Sequence, residues 1–467
     1  MYKRPLSLAL SVVTLAGCTM IPKYHRPDAP IAKDWPTGAA YGKTDRDGAA
    51  ADIAWRSFFT DPQIQKVIEL ALQNNRDLRV AALNVELARD QYRIQRASLY
   101  PSIDASAGGV RGRTAAGVNG SAQAALGNQY NVGLAATAYE VDLFGRLRSL
   151  TRQEQEKYLA SAEARTSVQI SLIAQVAVGC LTLREIDEQL AVAHETLKAV
   201  QDSYQLNKRS FEAGTASELD LSTADAQVQT ARVHVLEFER QSAVAANALT
   251  LLVGQPVPAD LLRGRPLESR SVLASLPAGL PSDLLLRRPD ILANEHILKA
   301  ANANIGAARA DFFPTISLTS SLGASSLQLS KLFERPGSVW AFAPQASLPI
   351  FDAGRNLAAL DASKVNKRIE VANYEKAIQT AFREVADALA DKASYERQVG
   401  AQETLVDAES KRYTLANARY RQGVDNYLNV LSAQQDLYNA QQGLIQARFA
   451  RLSSLVMLYK SLGGGWK

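Results

Sequence analysis

Phe211-Glu212-Ala213-Gly214-Thr215-Ala216-Ser217 and Tyr420-Arg421-Gln422-Gly423-Val424-Asp425-Asn426 lie 209 positions apart in a chain of 467 residues, each midway along a stretch without proline. In both, a glycine follows a polar run, and three residues later stands a side chain that can cap a helix, Ser217 or Asn426. Glycine lets the backbone leave a helix at its C-terminus, and serine or asparagine accepts from the first orphan N–H groups of the next. The pattern predicts two helix-turn-helix tips.

Working outward, Gly145 with Gly354, Leu219 with Leu428 and Gly254 with Gly463 keep the separation of 209, whereas Asp77 with Asp290, Pro101 with Pro314 and Ile103 with Ile316 are 213 apart. The chain therefore holds two copies of one pattern, 61–254 and 282–463, and the change of four residues is expected in a loop between Pro314 and Gly354. Proline is absent over 102–255 and 350–467, and alanine, glutamine, leucine and charged residues fill both stretches. Tyr374, Ile378, Ala381, Val385 and Ala388 recur at alternating steps of four and three, a heptad seam. If helical throughout, Arg146 to Ala213 would run about 100 Å at 1.5 Å per residue.

Ahead of each long helix the period changes to two. Tyr130, Val132, Leu134, Ala136 and Ala138 alternate with small or polar residues, as do Ile316, Leu318 and Leu322, and Trp340, Phe342, Ala346, Leu348 and Ile350. Alternation over about ten residues is the pattern of transmembrane barrel strands. Two hairpins are expected, 102–142 and 315–350, with a glycine- and alanine-rich strand at 102–113 and polar loops at 114–128 and 325–338. Four strands cannot close a barrel, since the smallest has about eight, and open edges cannot face lipid. A dimer would give a barrel filled by its own side chains, whereas a trimer leaves a lumen. The expected fold is a mixed α and β membrane protein: a trimeric twelve-stranded outer-membrane barrel continued by a helical coiled-coil barrel.

The remaining composition excludes several classes. Lys and Arg total 52 against 47 for Asp and Glu, too small an excess for a nucleic-acid binder. His25, His194, His234 and His296 lack metal-ligand spacing, and neither a phosphate-cradling glycine loop nor a nucleophile motif occurs. No enzyme and no cofactor is expected. Of two cysteines, Cys180 sits in an alanine- and valine-rich helical stretch and reads as a buried small residue, and Cys18 belongs to a targeting signal. Lys3 and Arg4 precede an apolar run over 6–15, and Leu15-Ala16-Gly17-Cys18 resembles the bacterial lipoprotein cleavage box. That resemblance implies removal of 1–17, acylation of Cys18 and, with Thr19 following, an outer-membrane destination. Elsewhere no continuous apolar run reaches about 18 residues, so no transmembrane helix is expected in the mature chain.

Asn75-Arg76-Asp77-Leu78, Tyr139-Glu140-Val141-Asp142-Leu143-Phe144-Gly145-Arg146, Leu286-Arg287-Arg288-Pro289-Asp290-Ile291, Phe312-Phe313-Pro314-Thr315-Ile316 and Leu348-Pro349-Ile350-Phe351 resemble the outer membrane factor (TolC-like) family. The likeness covers essentially the whole mature chain and is strongest to the acylated branch serving resistance-nodulation-division multidrug pumps. It implies an exit duct for antibiotics, solvents or other small molecules, a homotrimer, and partnership with a periplasmic adaptor and an inner-membrane transporter. It also implies an equatorial domain drawn from the acylated segment 18–60, the linker 255–281 and the C-terminus with its tail 464–467. A protein-secretion duct of the same fold and a non-conducting lipid-anchored spacer are the alternatives.

By the same resemblance, Gly214, Thr215, Ala216, Ser217, Gly423, Val424, Asp425 and Asn426 would form the adaptor-docking tips, and Asp220, Tyr420 and Arg421 a latch at the periplasmic mouth. Leu428, Asn429 and Ser432 match positions that narrow the aperture. Relatives often carry aspartate where Asn429 or Ser432 stands here. Because a ring of carboxylates favours cations and hydroxyls select weakly, cation selectivity should be weaker than in acidic relatives. Reversal potentials in asymmetric salt measure it, and a strongly cation-selective channel would contradict the expectation.

Overall fold

The structure, a computed structural model, describes residues 19–42, 50–115, 124–262, 266–267, 271–273, 276–334 and 337–466. The signal segment 1–17 and Cys18 lie outside them. The helices longer than four residues are α1 (Pro62–Asn74), α2 (Arg76–Ala97), α3 (Arg146–Glu212), α4 (Glu218–Val253), α5 (Pro289–Ala310), α6 (Arg355–Arg421) and α7 (Tyr427–Ser461). The chain divides into two compact units, one from the described parts of Met1–Asp28, Asn84–Ser161 and Asn294–Tyr374, the other from Ala29–Leu83, Ala162–Ala293 and Glu375–Lys467. The divisions fall inside α2, α3, α5 and α6.

In the first unit, β1 (Asp104–Thr114), β2 (Ala125–Val141), β3 (Thr315–Ser326) and β4 (Ser338–Ser347) form an antiparallel sheet in the order β1-β2-β3-β4. β1 forms despite its glycine and alanine content because β2 pairs it without interruption, from Asp104 opposite Ala135 to Thr114 opposite Ala125. The two hairpins meet through β2 and β3, where Gly133 faces Gly323. A Cβ on Gly133 would stand 2.8 Å from the carbonyl oxygen of Leu322, so backbone itself fills the space a side chain would need. β4 stops at Ser347, leaving Leu348 and Ile350 beyond the strand.

The length difference between the copies is not in the hairpin loops, which span 115–124 and 327–337 and are nearly equal. It lies in the strands and their flanks: β2 has 17 residues and β4 has 10. One extra residue of β2 sits in a bulge between Ala136 and Tyr139. Ala138 takes φ 51° there, and its N–H donates to Thr319 Oγ1 at 3.1 Å, so the residue displaced from the ladder keeps a partner.

The two longest helices, α3 and α6, have 67 residues each and run about 100 Å. Tyr374, Ile378, Ala381, Val385 and Ala388, the expected seam, are all buried. One stretch of α3 is long and apolar enough by composition to cross a membrane, and half of it is buried inside the protein. Ile170, Ile173, Val176, Ala177 and Leu181 are among its buried residues, as in the core helix of a globular protein.

In the second unit, three separate stretches of chain pack together. Trp35 stacks on Phe382 with ring centroids 5.1 Å apart and donates its Nε1–H to Gly279 O, and Phe58 stacks on Tyr459 at 4.1 Å. Asp61 caps α1 through the N–H of Gln63 and pairs with Arg184 at 2.8 Å, both side chains almost fully buried. Arg184 also donates to Ser271 Oγ, so neither charge is left alone in a dry interior.

In the first unit, residues 19–28 are strapped to α5. Asn302 donates to Pro22 O, Tyr24 donates to Glu295, and Arg26 holds the same carboxylate bidentately at 3.1 and 2.6 Å. Burial raises the Glu295 carboxyl, but the hydrogen bonds from Arg26 and Lys299 outweigh it and hold the group below the usual carboxylate range. With the folded-state pKa below the unfolded one, this stabilisation is present at neutral pH and is lost as pH falls through the folded value. Amide protection over 19–28, read by hydrogen exchange, should therefore drop as acid takes the pH below the usual carboxylate range. In Glu295→Gln it should already be low at neutral pH and change little on acidification.

Candidate functional site at the hairpin tips

Both tips lie in the second unit and close identically. α3 ends at Glu212, Gly214 takes φ 77°, and the N–H groups of Gly214 and Thr215 donate to Phe211 O and Ser210 O at 2.9 and 2.8 Å. α6 ends at Arg421, Gly423 takes φ 71°, and the N–H groups of Gly423 and Val424 donate to Tyr420 O and Arg419 O at 2.9 and 3.0 Å. The left-handed glycine and paired return bonds are the common close of an α-helix. Ser217 and Asn426 are the N-caps of the helices that follow.

The caps differ in chemistry. At the first tip Ser217 Oγ accepts from the Asp220 N–H, and the Asp220 carboxylate accepts from the Ser217 N–H at 3.1 Å and Oγ–H at 2.7 Å, a closed capping box. At the second, Asn426 Oδ1 accepts from the Asn429 N–H at 3.2 Å, and the Asn429 amide donates to Asp425. Arg419 also donates to Asp425 at 3.2 Å, and these bonds, that from Asn429 foremost, keep the Asp425 carboxyl below its ordinary range. Ser432 accepts from Arg412 at 3.2 Å, and Arg412 forms an ion pair with Asp436. Acids thus flank Asn429 and Ser432, each matched by an arginine of α6. Leu428 is exposed, as are Leu219 and Val424.

Asp220, Tyr420 and Arg421 are not joined by hydrogen bonds within the chain. Asp220 is committed to Ser217. The Tyr420 hydroxyl instead donates to Asn207 Oδ1 at 2.9 Å, tying α6 to α3. Burial, reinforced by the nearby Asp220 charge, raises the Tyr420 phenol. Asn207 is fully buried and donates through Nδ2 to Ser203 O. Sequence reasoning missed Asn207, although its signal was visible: it interrupts an apolar seam of Val200, Tyr204 and Phe211 with an amide. Beneath the bond pack Ala224, Tyr427 and Val430, with Tyr204, Tyr413 and Ala416 against them. Cys180 is buried well away from the tips in sequence, and burial pushes its thiol up to about 12, which keeps it protonated and unreactive.

The sequence pattern of the outer membrane efflux proteins matches residues 67–255 and again 280–464. The chain belongs to that family. The toluene efflux pump outer membrane protein TtgC of Pseudomonas putida is 50% identical over 468 residues, covering 100% of this chain and 96% of the relative. Outer membrane protein OprJ of Pseudomonas aeruginosa is 43% identical over 462 residues, covering 99% and 96%. Among solved structures, the open state of the Neisseria gonorrhoeae MtrE outer membrane channel superposes with a TM-score of 0.87 at 38% identity, covering 96% of this chain and 99% of that one. A membrane protein from Pseudomonas aeruginosa gives 0.90 at 41% identity, covering 96% and 100%. This outer membrane efflux protein is thus a TolC-like, mixed α and β protein of the outer membrane. The double match reflects the same duplication that sets its two tips 209 residues apart.

In this family member, Tyr420→Phe would leave the buried Asn207 carbonyl without its donor, at a cost of about 1–3 kcal/mol. Hydrogen exchange at 203–211 and 413–421 should accelerate accordingly, with little change at the first tip. Unaltered protection at both stretches would remove the bond from the account of what joins α3 to α6.

Proposed function

We propose that the protein is the outer-membrane exit duct of a tripartite efflux system, working as a homotrimer and exporting antibiotics, solvents or other small toxic molecules. The observation that carries this is the open sheet: β1 pairs only with β2, and β4 only with β3, among the described residues. An edge strand in lipid leaves a row of N–H and C=O groups that water cannot reach, so the sheet must close on further copies. Three copies give twelve strands and a lumen. The relatives named for toluene efflux favour small-molecule cargo.

The chain's own work is conduction and gating, with no cofactor and no reaction. A periplasmic adaptor docks on Gly214, Thr215, Ala216, Ser217, Gly423, Val424, Asp425 and Asn426, and a resistance-nodulation-division transporter loads the duct from the inner membrane. Acylation at Cys18 anchors the segment that residues 19–28 continue along α5. The segment 18–60, the linker 255–281 and the C-terminus form the equatorial domain. At the mouth, Leu428, Asn429 and Ser432 narrow the aperture, while Asp220, Tyr420 and Arg421 hold it shut. Within one chain Tyr420 is engaged with Asn207 and Asp220 with Ser217, which leaves Arg421 as the latch residue without a bond among the described residues.

Deleting the gene should sensitise cells to toluene and to several antibiotics, with restoration by the intact chain. In planar bilayers Asp220→Ala combined with Tyr420→Phe should raise open probability. Unchanged susceptibility would refute the efflux role, and unchanged gating in the double variant would refute the latch.

A further inference from the structure

Beside the tips, the second unit contains a cleft of about 590 Å³ between α3 and α6, with the first turn of α7 as its floor. Its volume is that of a small-molecule site, roughly 300–1,000 Å³. Its lining is chemically uneven. Tyr413, Tyr420 and Tyr427 supply aromatic surface, Arg209 and Arg421 supply two guanidinium groups, and Asp202 is the one acid among the lining residues.

Arg209 of α3 and Arg421 of α6 differ from two other arginines of α6. Arg412 and Arg419 have carboxylate partners in Asp436 and Asp425. Arg421 makes no hydrogen bond or ion pair among the described residues, and Arg209 donates only to the carbonyl of Gln205, one turn back on its own helix, at 3.3 Å. Arg421 lies close enough to Tyr413 to oppose the upward push of burial on that phenol. Two planar forks without carboxylate partners, lining one cleft with phenol rings, form a receptor for a group that is anionic at one end and flat and apolar at the other.

We propose that this cleft binds a small aromatic carboxylate, its ring held among Tyr413, Tyr420 and Tyr427 and its carboxylate bridged by Arg209 and Arg421. The walls are the two helices already joined by the Tyr420–Asn207 bond. A seated ligand joins them a second time and favours this arrangement of the tips over any in which α3 and α6 separate. That consequence rests on the tips being the channel mouth, whereas the binding itself does not.

The test is calorimetric titration of 2-naphthoate into the purified full-length protein in detergent. The expected result is one saturable site per chain, weakened by added salt. Naphthalene-2-carboxamide, the same ring without charge, should bind at least about tenfold more weakly, the scale of one lost charge-assisted contact. Arg421→Gln and Arg209→Gln should each weaken naphthoate by about the same factor, while Arg397→Gln, an exposed arginine of α6 outside the cleft, should not. If a glutamine variant fails to assemble, Arg421→Lys retains the charge without the fork and should still bind measurably more weakly than the parent. Absence of saturation into the millimolar range, equal binding of the carboxamide, or naphthoate binding indifferent to both arginines would overturn the site. Single-channel recording separates the two readings: binding with lowered open probability supports both, and binding without any effect on conductance leaves the site standing and removes its role at the mouth.

Discussion

Every backbone N–H and C=O buried in this protein needs a partner, and helix and strand meet that need differently. A helix satisfies its own N–H and C=O groups, so α3 and α6 can run 67 residues each, held to their neighbours by an apolar seam and a few buried polar bonds such as Tyr420–Asn207. A strand satisfies only half of its groups with each neighbour. Among the described residues β1 and β4 therefore end the sheet of one chain with unpaired edges, and a membrane offers no water to complete them. The same chain thus carries one part that is complete by itself and one that is not, and proposed assembly follows from the second.

Duplication explains the scaffold but not its chemistry. Gly214 and Gly423 sit 209 residues apart with the same left-handed backbone and the same return bonds, since those depend on glycine and on chain geometry alone. The side chains that follow have diverged. One copy closes its cap with Asp220, while the other uses Asn426 and turns Asn429 toward Asp425. A symmetric backbone thereby presents two different polar surfaces, and the cleft between α3 and α6 takes Arg209 from one copy and Arg421 from the other.

Much of the fold was legible because its signals are local or periodic. The 3.5-residue seam through Tyr374 and Ala388, the proline-free stretches, the alternation in β2 and β3 and the glycine breaks each reflect a rule acting over a few residues. β1 was faint because glycine and alanine carry little pattern, and it forms because β2 pairs it along its whole length. The placement of the four-residue difference was misread, since a bulge at Ala138 and a longer β2 absorb length inside a sheet, where loop reasoning does not look.

By itself the sequence determined the repeat, the helices and their ends, the caps Ser217 and Asn426, and the need for more than four strands, because propensity, periodicity and strand counting require no knowledge of neighbours. Packing between elements set which distant side chains meet: Tyr420 with Asn207, 213 residues away, and Arg209 facing the same cleft as Arg421. Hydrogen bonds between helices depend on their rotation and on which donors remain unclaimed locally. That is settled by packing across the seam, and no spacing along the chain records it.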